Sequence, residues 1–260
     1  MKEFIMLHAF SRTEMLIGTE ALEKLKKSTV AVFGVGGVGS YTVEALARSG
    51  VGKLVLVDYD EVCLTNINRQ LHATYETIGK SKVELMKERV KSINPDCEVV
   101  AFKAFYTPET AEEQVLPDYD YVVDAIDMIS SKLHLIERCQ MLDIPIICAM
   151  GAANKMDPTA LRVTDIYKTS MCPLAKVMRS ELRKRGVKKL KVVYSTEQPL
   201  KPLSLEGGCP ETCHCENKDT AKIEKRQTPG SISFVPSVAG LILAGEVIKD
   251  LIGYGEEEVR

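Results

Sequence analysis

The segment VAVFGVGGVGSYTVEALARSG, residues 30–50, joins an apolar run to an amphipathic run through Gly34, Gly36, Gly37 and Gly39. An apolar strand that runs through a glycine-rich turn into a helix is typical of a βαβ unit. Because glycine has no side chain, the backbone N–H groups of such a turn can approach a phosphate at the positive end of the helix. The turn predicts a nucleotide-binding α/β protein, although close packing of strand on helix would also require glycines.

Further apolar runs repeat at intervals along the chain: KLVLV at 53–57, YVVDA at 121–125 and IPIICA at 144–149. Strands that are apolar on both faces are expected in a parallel sheet covered by helices on each side. Between two of these runs, Val83, Met86, Val90 and Ile93 share one face of a predicted covering helix that stops before Pro95. The pattern predicts an α/β, Rossmann-like doubly wound, mostly parallel sheet with helices on both faces.

The pattern changes near residue 151. We expect a nucleotide-binding core at about 29–150 and a C-terminal substrate or dimer extension at about 151–260. In the extension, ALRVTDIY (160–167) and KLKVVYS (189–195) are predicted strands that flank a basic helix. A long irregular segment follows from Thr196 to Ser231, and such segments are often functional. A closing apolar helix, about Pro236 to Leu251, is predicted to lie in the core or at a dimer surface.

Composition and charge restrict the partners and the cellular location that we expect for the protein. The net charge is −2, so any contact with nucleic acid must come from a local patch. The N-terminal residues lack the apolar stretch of a signal peptide, and Glu246 and Lys249 interrupt the apolar C-terminal run, so we expect no membrane insertion. Eight cysteines, scattered singly or in one small cluster, favour reduced thiols and a cytoplasmic location.

The residues after the second strand indicate which nucleotide is bound. Asp58 ends that strand, where an acidic residue holds a ribose hydroxyl, and up to this point an NAD-dependent oxidoreductase fits equally well. TNINRQ (65–70) and GKSK (79–82) then add Arg69 and Lys82. Two cations suit a triphosphate better than a nicotinamide, so the prediction is ATP.

The motifs GxGGxGS (34–40), DxDxVxxTNxNRQ (58–70), GxxK (79–82) and DAID (124–127) resemble those of the ThiF-type adenylating enzymes related to ubiquitin activation. Over nearly the whole chain, DYDEVCLTNINRQLHA, INPDC, YVVDAID, DPTALRVTDIYKT and PLAKVMR are most similar to the tRNA threonylcarbamoyladenosine dehydratases. The resemblance implies one ThiF-like adenylating domain over 1–260. It also implies ATP-dependent dehydration and cyclisation of a threonylcarbamoyl group on the adenosine beside the anticodon, through an acyl-adenylate, with release of AMP and pyrophosphate.

Three other functions stay open at this point. The nearest is an adenylyltransferase that activates the C-terminal Gly-Gly of a small sulfur-carrier protein. The second is a tRNA-binding or partner-regulated module whose nucleotide site is only structural. The third is the oxidoreductase.

The resemblance implies roles for individual residues. Asp58 and Asp60 belong to the nucleotide site, with Asp58 on the ribose. Asn66, Arg69 and Lys82 would contact the triphosphate. Asp127, the second acid of DAID, would hold magnesium. The group expected to carry the chemistry comprises Arg69, Lys82 and Asp127. Related enzymes are dimers in which an arginine enters the partner's ATP site, and Arg12 is loosely equivalent to it.

Each of these side chains also has a simpler interpretation. Arg69 could be a surface arginine that pairs with a helix end. Lys82 could be an exposed lysine in the first turn of a helix, where a cation opposes the helix dipole. Asp127 could cap a helix beginning near Ser130, and Asp124 is more often a strand-end residue than a ligand.

Two further features have open interpretations. Residues 176–191 contain eight basic residues and one acid, which fits a solvated helix face or a tRNA backbone. The cluster Cys209, Cys213, His214 and Cys215 suggests zinc, yet the paired C-x-x-C motifs of structural zinc sites are missing, so an ordinary reduced loop is the alternative. Cys172, before a proline, is either a thiol with a lowered pKa or a packed small residue. A sulfur-transfer partner is also left open.

Overall fold

The computed structural model describes residues 7–203 and 229–255. The strands are β1 (Thr29–Phe33), β2 (Lys53–Val57), β3 (Glu98–Phe102), β4 (Tyr121–Asp124), β5 (Ile146–Ala149), β6 (Leu161–Asp165) and β7 (Lys191–Ser195). The α-helices are α1 (Ser11–Ile17), α2 (Thr19–Lys27), α3 (Gly39–Arg48), α4 (Lys82–Ile93), α5 (Ala111–Gln114), α6 (Ile129–Met141), α7 (Pro173–Lys184) and α8 (Phe234–Ile252).

The seven strands form one sheet in the order β3-β2-β1-β4-β5-β7-β6. All neighbours are parallel except β6 and β7, which are antiparallel. In the centre, Val32 lies beside Leu56 on one side and Val123 on the other. The mostly parallel, Rossmann-like sheet predicted from the apolar runs is confirmed. The two strands beyond residue 151 extend this same sheet.

Helices cover both faces of the sheet, as predicted. Alternate residues of a strand point to opposite faces, and in β1 Val30 and Val32 join the cluster under α3, α4 and α8. Ala31 and Phe33 join a second cluster with residues of α5 and α6. A third cluster packs α6 and α7 against β5 and β7. Because both faces of the inner strands β1, β2, β4 and β5 are buried, these strands consist of nearly continuous apolar runs.

Two helices predicted from periodicity are confirmed. On α4, Val83, Met86 and Val90 are fully buried. The apolar helix α8 buries one side in the core and runs along α3, where Gly240 allows close contact: a Cβ there would lie 2.2 Å from the Val38 carbonyl oxygen. Within the described part of the chain, no helix is long and apolar enough to cross a membrane. The cluster Cys209, Cys213, His214 and Cys215 lies outside the described residues.

Candidate nucleotide site

A cavity of about 430 Å³ opens at the carboxyl ends of β1, β2, β4 and β5. The chain runs from β1 to β2 and β3 on one side and then crosses back to β4 on the other side of β1, and ligands of doubly wound folds bind at such a switch point. The predicted residues at its wall are Gly34, Gly36, Gly37, Asp58, Asp60, Asn66, Arg69, Lys82 and Asp127. Three separate loops of the chain therefore converge on one concave site.

The four glycines of the turn divide into two pairs. Gly34 has a φ of +84°, and a Cβ on it would lie 2.6 Å from the Ala125 carbonyl oxygen. A Cβ on Gly39 would lie 1.8 Å from the Gly34 carbonyl oxygen, and Gly39 is not among the described residues that line the cavity. This pair allows close packing. Gly36 and Gly37 line the cavity together with Gly34, and a Cβ on either would meet no backbone closer than 3.4 Å, so this pair could expose backbone N–H groups to a phosphate.

The Asp58 carboxylate accepts hydrogen bonds from the glycine turn and from the loop after β2. Its Oδ2 accepts a hydrogen bond from the Val35 N–H at 2.6 Å, and its Oδ1 accepts one from the Asp60 N–H at 2.9 Å. Burial raises the pKa of Asp58, while the nearby charge of Lys82 and these two hydrogen bonds act in the opposite direction. The carboxylate keeps unused lone pairs at the cavity wall, where a ribose hydroxyl could donate to them.

Lys82 is buried rather than solvated. Only 4% of the residue is exposed, and its Nζ lies 2.5 Å from Oδ2 of Asp60. The backbone N–H of Lys82 also donates to the Asp60 carbonyl oxygen at 3.2 Å. The interpretation of Lys82 as an exposed surface lysine is therefore wrong. The Asp60 carboxylate holds the ammonium at the cavity wall, where a phosphate would compete for it.

Arg69 and Asn66 lie in the segment between β2 and α4. Nη1 of Arg69 donates to the Thr65 carbonyl oxygen and to Oδ1 of Asn68, each at 2.9 Å. Burial lowers the pKa of Arg69, but a guanidinium stays charged in proteins. Asn66 lines the cavity and also shapes the loop, because its Oδ1 accepts from the Cys63 N–H at 3.0 Å. Arg69 forms no ion pair with any described residue, so its charge is available to a ligand.

Gln70 is a cavity residue that the motif analysis gives no role. It is 7% exposed, and its Oε1 has no hydrogen-bond partner among the described residues. Its Nε2 would lie 3.7 Å from a Cβ placed on Gly36. A buried acceptor without a donor is costly, so a ligand or water is expected to supply one. Its place directly after Arg69 in TNINRQ is the only sequence signal.

Asp127 lies between β4 and α6 and is exposed at the cavity wall. The N-cap of α6 is Met128, and no side chain caps this helix, so Asp127 is not its cap. Among residues 7–203 and 229–255, no three His, Cys, Asp or Glu side chains form a metal-binding group. A lone carboxylate fits Mg²⁺ that takes its other ligands from phosphates and water, as Mg²⁺ commonly does.

Another part of the cavity wall is formed by 149–153, Leu174 and a strap, defined as residues 229–231. The strap is held at both ends. Oδ1 of Asn154 accepts from the Gly230 N–H at 2.6 Å, and Nδ2 of Asn68 donates to the Ser231 carbonyl oxygen at 2.9 Å. Cys172 is buried behind this wall, its Sγ 3.7 Å from a Cβ placed on Gly151, as expected of a packed small residue.

Arg12 lies on α1, away from the described residues that line the cavity. It is exposed, as are two large apolar side chains of the same helix, Met15 at 85% and Leu16 at 86%. In this single chain the structure therefore does not bring Arg12 to the nucleotide site. An arginine on such a surface could reach the site of a second copy only.

Acidic neighbours neutralise part of the basic segment 176–191. Lys184 and Arg185 pair with Glu181, and Lys191 pairs with Asp250. Exposed side chains that form no ion pair with any described residue are Lys176, Lys188, Lys189 and Arg183, the last of which lies over the Tyr167 ring. About half of the formal charge therefore remains available to a polyanion.

The fold and the cavity define an α/β nucleotide-binding protein, and the sequence places it more narrowly: the chain belongs to the ThiF family, which it matches over residues 10–260. It is 54% identical over 252 residues to the tRNA threonylcarbamoyladenosine dehydratase of Bacillus subtilis, covering 95% of this chain and 96% of the relative. The fold also matches the crystal structure of the Escherichia coli tRNA N6-threonylcarbamoyladenosine dehydratase TcdA in complex with ATP, with a TM-score of 0.83, 33% identity and 96% of each chain covered. The same E. coli enzyme in complex with AMP matches with a TM-score of 0.82, 34% identity and 95% of each chain covered.

Proposed function

We propose that this protein is an ATP-dependent tRNA-modifying enzyme that dehydrates and cyclises threonylcarbamoyladenosine. The observation that carries the proposal is the triphosphate end of the cavity, where Arg69, Lys82 and Asp127 surround the glycine turn. This end occurs in a chain that aligns with dehydratases almost from end to end. The alignment covers 95% of the chain, so it includes the extension, which also contributes residues to the cavity wall.

The first step is adenylation. A carboxylate oxygen of the threonylcarbamoyl group attacks the α-phosphorus of ATP, and the bond to the β-phosphate oxygen breaks. The products are an acyl-adenylate and pyrophosphate. Arg69 and Lys82 stabilise the charge that moves onto the leaving pyrophosphate, which is the main catalytic requirement of such a transfer.

The second step closes the ring. A nucleophile within the same threonylcarbamoyl side chain attacks the activated carbonyl carbon, and AMP leaves with the former carboxylate oxygen. The net change in the nucleoside is the loss of one water. Groups held together in this way reach effective molarities of about 10⁵ M or more, so positioning and solvent exclusion suffice without a catalytic triad.

Magnesium belongs to the proposal as the cation that Asp127 would hold. When bound, Mg²⁺ neutralises phosphate charge and fixes the geometry of the leaving group. Asp58 holds the ribose, and Gly36 and Gly37 give the phosphates access to backbone N–H groups. These residues belong to one cavity, as ATP binding requires.

The proposed macromolecular partners are tRNA and a second copy of this chain. Lys176, Lys188 and Lys189 supply unpaired positive charge for a phosphate backbone. The exposed apolar side chains of α1 support a homodimer in which Arg12 enters the partner's site. A cytoplasmic location is supported by the buried thiols of Cys97, Cys139, Cys148 and Cys172, because such thiols persist in a reducing compartment. A sulfur-transfer partner stays a prediction.

The direct test incubates the protein with ATP, Mg²⁺ and tRNA that carries threonylcarbamoyladenosine, followed by mass spectrometry of the nucleoside. We expect the loss of one water from the nucleoside together with stoichiometric AMP and pyrophosphate. ATP with a methylene group between its α- and β-phosphates is the control and gives no product. An unchanged nucleoside mass in the presence of intact ATP contradicts the proposal.

The carrier-protein alternative uses the same ATP site with another acceptor. It predicts pyrophosphate exchange that depends on a protein ending in Gly-Gly, whereas the proposed reaction predicts exchange that depends on the modified tRNA. Running both acceptors in one assay separates the two functions. A third outcome, ATP bound but not consumed with either acceptor, supports a structural nucleotide site.

A further inference from the structure

A fully buried ion pair lies behind the loop that carries Asp127. Lys132 on α6 and Asp124 at the end of β4 are both 0% exposed, with Nζ 2.9 Å from Oδ2. Neither side chain belongs to the described cavity wall. Removing both charges from water costs so much that apolar residues of similar size are often at least as stable. Net stability is therefore a poor explanation for this pair.

The pair holds both polar groups of one backbone residue. Nζ of Lys132 donates to the Ile126 carbonyl oxygen at 3.0 Å, and Oδ1 of Asp124 accepts from the Ile126 N–H at 3.1 Å. The contact between Nζ and Oδ2 is electrostatic and lies outside hydrogen-bond geometry. One residue earlier, the Ala125 N–H donates to the Phe33 carbonyl oxygen at 2.8 Å. Backbone groups on both sides of the peptide bond between residues 125 and 126 are thus fixed.

The loop at 125–128 is the part of the cavity that this arrangement controls. All four of its residues line the cavity, and Ala125 packs directly on the glycine turn at Gly34. Asp127 follows the held residue immediately, and its own carboxylate is exposed at the cavity. A rigid support directly behind a functional carboxylate is what a precisely positioned site requires.

We propose that Lys132 and Asp124 are positioning residues that hold the Ile126 backbone and thereby fix the Asp127 carboxylate at the phosphate end of the cavity. This inference rests on the proposed function, because it gives Asp127 the task of binding Mg²⁺ with the nucleotide. The pair adds little net stability, and its task is to position the Asp127 carboxylate. Its removal therefore changes the Mg²⁺ requirement for nucleotide binding, while the tRNA contacts stay as they are.

The principal variant removes both charges at once, Lys132→Met with Asp124→Leu. Because no buried charge is left unpaired, we expect a folded protein, with a melting temperature lowered by about 5 °C because the N–H and C=O groups of Ile126 lose their partners. The single change Lys132→Met leaves an unpaired buried carboxylate and is expected to lower the melting temperature by about 10 °C. The matched control removes the ion pair between Arg89 and Glu44, which joins α3 and α4 away from the loop.

The measurement is the Mg²⁺ concentration that gives half-maximal binding of a fluorescent ATP analogue, without tRNA. We expect a rise of about tenfold in the Met/Leu double variant, equivalent to one or two lost hydrogen bonds. The Glu44→Gln/Arg89→Gln control keeps the parental value. The KM for tRNA at saturating Mg²⁺ also stays at the parental value. A purely structural pair predicts no change in the Mg²⁺ requirement once the variant is folded, and that result overturns the inference.

A second variant tests the charge separately from the hydrogen bond. Asp124→Asn keeps an oxygen for the Ile126 N–H but leaves the Lys132 ammonium unpaired, so a lower melting temperature and a smaller rise, of a few fold, in the Mg²⁺ requirement are expected. A parental Mg²⁺ requirement in Asp124→Asn also counts against the inference. The binding assay contains no tRNA, so it gives a result even if the parent fails to modify tRNA, which would contradict the proposed function alone.

Discussion

Gly36→Ala separates the two tasks of the glycine turn. Gly36 has no positive φ, and the nearest atom to a Cβ there is Nε2 of Gln70 at 3.7 Å, which is ordinary contact. Alanine therefore fits the fold without strain. Because alanine also has less freedom in the unfolded chain, the free energy of unfolding is expected to stay equal or rise by about 0.5 kcal/mol.

ATP binding responds differently, because the added methyl group occupies the space that a phosphate oxygen needs beside the backbone. Losing one or two hydrogen bonds to a charged phosphate costs about 2–4 kcal/mol. The Kd for ATP is therefore expected to rise between about 30-fold and several hundredfold. Isothermal calorimetry with Mg²⁺ and ATP measures this, and chemical denaturation measures the free energy of unfolding of the same sample.

The matched control is Gly34→Ala. At φ +84° an alanine is strained, and its Cβ would lie 2.6 Å from the Ala125 carbonyl oxygen, so this variant is expected to lose more than about 2 kcal/mol of stability. The two substitutions are thus expected to have opposite effects: Gly36→Ala weakens ATP binding without loss of stability, and Gly34→Ala lowers the stability of the fold. A Gly36→Ala protein that is stable and binds ATP as tightly as the parent would refute the assignment of this turn to phosphate.

Four further predictions concern single features of the site. Arg69→Ala is expected to lower kcat/KM by at least about 100-fold while unfolding stays cooperative, because the guanidinium is predicted to bind the triphosphate and does not pack in the core. Kinetics together with denaturation curves test this, and retained turnover removes Arg69 from the mechanism. Lys188→Ser with Lys189→Ser is expected to reduce by about two the slope of log affinity for tRNA against log salt, and an unchanged slope places the tRNA elsewhere. Asn154→Ala removes the side-chain hydrogen bond to the Gly230 N–H but keeps the backbone bond from residue 154 to the Gly230 carbonyl oxygen. It is expected to raise the KM for tRNA about fivefold with the Kd for ATP unchanged, as steady-state kinetics and calorimetry will report. Burial, with a smaller contribution from the nearby charge of Lys82, lowers the pKa of His72 to about 4. As the pH falls, the unfolded chain therefore takes up this proton first, and about 3 kcal/mol of stability that is complete above pH 6.5 is lost between pH 6.5 and 4. In a plot of the free energy of unfolding against pH, His72→Phe should flatten this part, and parallel plots for the two proteins would contradict the prediction.

The central sheet could be predicted because burial on both faces gives its inner strands continuous apolar runs. The edge strand β3 has no such signal: Glu98 is exposed and most of the strand is only half-buried. The short helix α1 has no buried residue and hence no apolar face to mark it, whereas α2 does place Leu22 and Leu25 on one buried face. For the site, the glycine turn, Asp58 and the two cations were indicated by the sequence itself, whereas Asn66 and Asp127 were implied by the family resemblance; the structure places all of them at the cavity wall.

Contacts between distant segments could not be predicted. Asn68 and Ser231 are 163 residues apart, and no periodicity links them. The ion pair of Lys82 with Asp60 and the buried pair of Lys132 with Asp124 likewise follow from how the sheet aligns its strand ends. A single sequence indicates which side chains have useful chemistry, whereas their partners depend on the fold.

The most direct test of the account follows one oxygen atom through the reaction. The threonylcarbamoyl carboxylate on tRNA is labelled with ¹⁸O, and the protein is given ATP and Mg²⁺ in ordinary water. Adenylation of that carboxylate predicts AMP with one labelled oxygen and a cyclised nucleoside that has lost one label. Unlabelled AMP beside a dehydrated nucleoside would contradict the acyl-adenylate and with it the assignment of this cavity.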